Sequence, residues 1–124
     1  MKIRTSTLMP PALNWVVAKC EPDDTLGIYF DDQTGEALVH DDWPDFQQYN
    51  PSTDWAQGGP IIEREGMQLQ LEDIAEWHAT MWWDDEDGQR EIVTRGPTPL
   101  IAAMRCYVAS KLGDEVEIPM ELLK

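Results

Sequence analysis

Read for its alternation of apolar and polar positions, the chain divides into segments of different period. LMPPALNWVVAKC (8–20) sets Leu13, Val16, Val17 and Cys20 at helical spacing. Its prolines suit a first turn and Ser6 or Thr7 suits a cap, so an N-terminal helix is predicted. Two β-prone runs, TLGIYF and EALVH, flank the turn-rich DDQTG and predict a hairpin with a longer loop over about 25–40. DDWPDFQQYNPSTDWAQG (41–58) has no clean period. Its Pro, Asn, Asp and isolated aromatics read as an ordered surface loop with rings folded back onto the body.

In GGPIIERE (58–65), Pro60 has the φ wanted at a first helical position and Gly66 suits the left-handed residue past a helix end. A Gly-Gly hinge into a helix of about one and a half turns is expected, anchored by Ile61 and Ile62. Residues 68–83 are ambiguous between helix and strand. Trp77, Ala79, Met81 and Trp83 alternate, Asp87-Gly88 offers a turn, and REIVTR offers a β-branched return, which favours strands at about 76–83 and beyond. A short strand near 67–71 is the weaker reading. TPLIAAMRCYVASKLG gives the clearest helix, with Thr98 as cap, Pro99 in its first turn and Gly113 just past its end. Leu100, Ile101, Met104, Tyr107, Val108 and Leu112 share one face, and Ala102, Cys106 and Ala109 lie on the reverse. The tail from 114 is expected to end in a turn beginning at Pro119.

These elements predict an α+β fold: an antiparallel sheet of three to five strands, with the N-terminal and C-terminal helices packed on one face. At 124 residues, 42% of them apolar, the chain suits a single domain, 1–124, with one core.

Charge changes that picture in one respect. The net charge is −15 and it is regional: residues 41–87 carry thirteen acids and one base, whereas 88–124 carry five of each. Neutralising phosphates needs clustered Lys and Arg, so direct binding to nucleic acid or to an anionic membrane is disfavoured. A basic protein surface is favoured instead. No apolar run is long enough for a membrane span or a signal-peptide core, which predicts a cytoplasmic protein. Cys20 and Cys106 each sit in an apolar helical pattern and read as buried thiols rather than a disulfide.

Candidate chemistry is sparse. Aligning Gly88 of WDDEDG with the invariant glycine of a calcium loop puts Trp83 at the first ligand position and Thr94 where a bidentate Glu belongs, so no calcium loop is read there. His40 with Asp41 and Asp42 lacks spacing that links it to His78, the only other histidine. GGP lacks the GK[ST] of a phosphate loop. No carboxylate pair stands out for acid–base work, and no nucleophile has a base beside it. Neither a cofactor nor a metal is implied, and the sequence points away from an enzyme without closing the question. Aromatics are the richer signal: Trp43, Phe46, Tyr49 and Trp55 gather in one acidic segment and have the make-up of a protein-interaction surface. With Gly58, Gly59 and Arg64 they form the candidate surface. Arg64 is the only base between Lys19 and Arg90. Because i and i+1 neighbours do not face each other on a helix, its guanidinium is expected to reach neither Glu63 nor Glu65 but backbone carbonyls or a carboxylate elsewhere, with Asp54 or an acid of the 41–45 stretch as the candidate carboxylates.

PSTDWAQGGPIIERE (51–65), GPTPLIAAMRCYVASKLGDEVEIP (96–119) and ALNWVVAKC together resemble the phage NinX-like family, small proteins of lambdoid phages and prophages. That resemblance implies a setting, the cytoplasm of the infected cell, and an accessory role; it assigns no catalytic residue. Three functions follow as expectations. The first is a non-enzymatic module binding a host or phage protein. The second is an acidic nucleic-acid mimic directed at a host DNA-binding or restriction enzyme. The third is a small ligand-binding domain or enzyme with a pocket near Arg64, where GGPIIERE meets the C-terminal helix. Homo-oligomerisation is left open.

Overall fold

The computed structural model describes residues 1–10, 12–20, 27–30, 37–42, 45–48 and 50–118, the stretches between 27 and 48 by their backbone alone. In chain order they form β1 (Lys2–Arg4), a 3-10 turn (Thr5–Thr7), α1 (Ala12–Cys20), β2 (Gly27–Phe30), β3 (Ala37–Asp42) and β4 (Asp45–Gln48). There follow α2 (Trp55–Glu65), β5 (Gln68–Asp73), β6 (Glu76–Asp85), β7 (Gly88–Gly96), α3 (Pro99–Leu112) and β8 (Glu115–Glu117). The class is α+β. The strands are distributed over three antiparallel sheets, ordered β2-β3-β4, β5-β6-β7 and β1-β8.

Alternation builds the β5-β6-β7 sheet. Ala79 and Met81 of β6 turn inward and are buried, while Trp82, between Met81 and Trp83, is 41% exposed. The register pairs Ala79 with Thr94 and Met81 with Ile92, so each inward position of β6 faces an inward position of β7. Outside, Trp82 lies opposite Glu91 and donates its indole N–H to that carboxylate at 2.9 Å. The return begins one step earlier than Asp87-Gly88: the closing pair is Asp85 with Gly88, and the two-residue loop is Glu86-Asp87.

Across the inner face lies α3, capped as its sequence predicts, the Thr98 hydroxyl accepting from the Ile101 N–H at 3.1 Å. Its burial does not follow a single stripe. Every residue from Leu100 to Val108 is buried, whereas Leu112, expected on the apolar face, is 51% exposed. The cause is position: α3 packs on β5, β6 and β7 and also against α1 and α2, so both of its faces are core. The N-terminal helix packs against α3, and its Leu13, Val16 and Val17 are buried. It starts at Ala12, past the predicted cap, because Thr5–Thr7 is spent on the 3-10 turn. Thr5 fastens that turn to the chain end of α3, its hydroxyl donating to the Gly113 carbonyl at 2.7 Å.

Two further expectations are corrected. The segment 41–58 is not a loop throughout: β3 runs to Asp42, β4 pairs back on it with His40 opposite Phe46, and α2 starts at Trp55. A polar strand can be recruited by backbone pairing alone, and side-chain period does not report that. Gly58 and Gly59 lie inside α2, not in a hinge before it. Asp54, in extended conformation, caps the helix by accepting from the Ala56 N–H at 2.9 Å, and Pro60 is tolerated as the sixth residue. Gly66 ends it in the left-handed region, φ 65°, as expected. Residues 119–124, where a last turn is predicted, lie outside the described residues.

Candidate functional site

The entry to α2 is held from two sides. Asn14, a polar residue within the apolar stripe of α1, is 5% exposed. Its Oδ1 accepts from the Ser52 hydroxyl at 2.6 Å and the Ser52 N–H at 3.1 Å, and its Nδ2 donates to Asn50 Oδ1 at 3.5 Å. The Asn50 N–H in turn donates to Gln57 Oε1. A buried amide that finds its partners in a neighbouring segment fixes that segment, since every alternative leaves polar atoms unpaired in the core. Pro51 and Ser52 are buried by this arrangement.

On that platform stands Trp55, first residue of α2 and 53% exposed. Beside it runs a groove of about 250 Å³ lined by Ser52, Thr53, Trp55 and the first residues of α3, Thr98 to Ile101. One turn on, Gly58 is buried against the Pro51 carbonyl and the Leu100 side chain; a Cβ there would lie 2.7 Å from Leu100 Cδ2. The seam between α2 and α3 is therefore filled at Gly58 and leaves no room there for a ligand.

At the far end of α2, Arg64 donates from Nη2 to the Tyr107 hydroxyl at 3.2 Å, with its guanidinium carbon 5.5 Å from the ring centroid. The same hydroxyl donates to the Cys20 carbonyl at 3.2 Å. Glu65, expected not to pair with Arg64, does so, with Arg64 Nε at 3.5 Å from Oε2 while Lys111 Nζ lies 3.5 Å from Oε1. Lys111 of α3 draws the Glu65 carboxylate onto the helix seam, where Arg64 also reaches. Asp54, the other named candidate, is occupied as the N-cap. The acids of 41–45 have side chains outside the described residues.

Of the seven sequence-predicted surface residues, the structure places Trp55, Gly58, Gly59 and Arg64 on one helix but not on one surface. Trp55 is exposed beside the groove, Gly58 faces the core, Gly59 has only the Trp55 ring near where a Cβ would stand, at 3.9 Å, and Arg64 belongs to the Tyr107 clamp. Phe46 lies in β4 with its side chain outside the described residues, as are Trp43 and Tyr49. Sequence reasoning missed Asn14 and Ser52, although an amide inside an apolar helical stripe was the available signal.

The described acids of 41–87 lie partly on α2 and its cap, as Asp54, Glu63 and Glu65, and otherwise at the two ends of the β5-β6-β7 sheet. Glu72, Asp73 and Glu76 flank the β5–β6 turn, and Asp84, Asp85, Glu86 and Asp87 make up the β6–β7 tip at the other end of the ten-residue β6. Arg90 folds onto that tip, 2.7 Å from Asp85 and 3.4 Å from Asp87, and its hydrogen bond holds the Asp85 carboxyl below the usual range. At the opposite end His78 lies between Glu72, at 3.8 Å, and Glu76, at 3.6 Å. Among the described residues no group of three His, Cys, Asp or Glu is placed to share a metal ion. Nor is any helix there long and apolar enough to cross a membrane.

No curated protein matches the chain. The family described as "Bacteriophage P22, NinX" matches residues 4–111, a span that begins in β1, takes in α1, the Trp55 platform and the sheet, and ends on Lys111 of α3. With the greater part of the sequence so matched, the chain belongs to the phage P22 NinX family.

Proposed function

We propose that this phage-family protein is a non-enzymatic accessory protein that binds a host or phage protein in the cytoplasm of the infected cell, with Trp55 as its anchor. The observation that carries this reading is a large ring, 53% exposed, standing beside a groove on a segment pinned by buried hydrogen bonds. Tryptophan dominates the energetics of protein interfaces, and an anchor already fixed in place loses little entropy on binding. Acids flank it in sequence, which favours a partner with a basic rim and speeds the encounter.

The other two readings receive less support. Mimicry of nucleic acid asks for carboxylates along one face, and the described acids of 41–87 divide between α2 and the two ends of a sheet. A pocket between GGPIIERE and the C-terminal helix is filled at Gly58. The test is quantitative capture from infected cells with wild type and Trp55→Ala. Because Trp55 is half exposed, the variant is expected to melt like wild type while losing its specific partner by at least about tenfold. Equal recovery by both proteins, or no specific partner for wild type, overturns the proposal.

A further inference from the structure

Three of the nine bases line one cleft of about 860 Å³, formed by the 3-10 turn, β7, the middle of α3 and the start of β8. They are Arg4, Arg95 and Arg105. Arg105 stands in the buried run of α3 and is 8% exposed. Its Nε donates to the Leu8 carbonyl at 2.9 Å, its Nη1 to the Arg95 carbonyl at 2.8 Å, and its Nη2 to Met9 Sδ at 3.1 Å. A guanidinium has five N–H groups, so two donors remain over. No carboxylate among the described residues pairs with Arg105, and none pairs with Arg4. Among the described residues the one carboxylate beside Arg95 is Glu76, at 3.6 Å, with 72% of the Arg95 side chain exposed.

A buried cation without a counter-ion is costly, and burial accordingly lowers the Arg105 pKa. Carbonyl contacts explain how the side chain is held in place, not why a charge is kept there in preference to an apolar residue. An anion entering the cleft would neutralise it and use the remaining fork of donors, which matches the geometry of a carboxylate or phosphate. Glu76, Asp114 and Glu115 on the same walls set a limit, because a heavily charged anion would be repelled. The volume suits a small organic molecule rather than a bare ion. We propose that this cleft binds the oxyanion end, carboxylate or phosphate monoester, of a small molecule, with Arg105 and Arg4 as the principal donors. It is built from other residues than the Trp55 groove, so the two proposals fail independently.

The test follows the arginine Nε–H resonances of the intact protein while inorganic phosphate, or in a second series acetate, is added at constant ionic strength. Saturable shifts at Arg105 and Arg4 are expected, and in Arg4→Ala, an exposed position that leaves the fold intact, affinity should fall by about tenfold or more. Saturation by phosphate alone assigns a phosphate ligand, and saturation by acetate assigns a carboxylate. Shifts that rise without saturating in both series, or an Arg4→Ala protein of undiminished affinity, overturn the proposal.

Discussion

Two adjacent glycines of α2 are asked for opposite things. At Gly58 a Cβ would collide with the Pro51 carbonyl and press on Leu100, both held in the core; at Gly59 the nearest atom is Trp55 Cε3, at ordinary contact distance of 3.9 Å. Gly58→Ala should therefore cost about 1–3 kcal/mol through overpacking, despite the better helix propensity of alanine. Gly59→Ala should gain about 0.5–1 kcal/mol, since it removes backbone freedom from the unfolded chain without a clash. Chemical denaturation of the pair checks this, and two variants of the same sign would show that α2 is not seated as described.

At the scale of elements, the three helices converge on one hydroxyl. Tyr107 belongs to α3, accepts from Arg64 at the end of α2 and donates to the last carbonyl of α1, Cys20. Its ring is 1% exposed, so Tyr107→Phe keeps the packing and deletes only the polar link. A loss of about 0.5–1.5 kcal/mol is expected from two neutral or charge-assisted bonds of moderate length. Faster hydrogen exchange at the C-terminal end of α1 should accompany it; unchanged exchange there would mean that apolar contacts alone hold that helix. Arg64→Lys should give a smaller loss, because a lysine cannot reach the hydroxyl and the Glu65 carboxylate with one planar fork.

For the whole molecule the buried Cys106 thiol makes stability sensitive to alkali. Burial pushes it from 9.0 up to about 11, outweighing the hydrogen bonds that favour the thiolate. In the unfolded chain the thiol ionises from about pH 9 while the folded protein keeps its proton. Stability from this source is thus complete below pH 9, falls as pH rises toward 11, and levels off above. The total is about 3 kcal/mol at most, at 1.36 kcal/mol per pKa unit. Comparing the pH dependence of unfolding for wild type and Cys106→Ala isolates it: the wild type should lose more stability than the variant between pH 9 and 11. Parallel curves would place the thiol in contact with water.

What the amino-acid order determined by itself was whatever depends on near neighbours. Thr98 with Pro99 set the start of α3, Gly66 set the end of α2, and the alternation around Ala79 and Met81 set β6, because caps, left-handed residues and pleat are local properties. The family likewise was legible in three stretches of sequence. Tertiary structure decided what lies on both sides of an element. Period could not report that α3 is enclosed between sheet and helices, which is why Leu112 shares the apolar face yet is exposed and Arg105 lies off that face yet is buried. It could not report that β4 is recruited by backbone pairing, or that Gly58 is a point of contact rather than a hinge. Of the candidate surface, the exposed Trp55 was readable as an aromatic in an acidic segment. The platform beneath it was not, because Asn14 and Ser52, 38 residues apart, become neighbours only when α1 packs against α3.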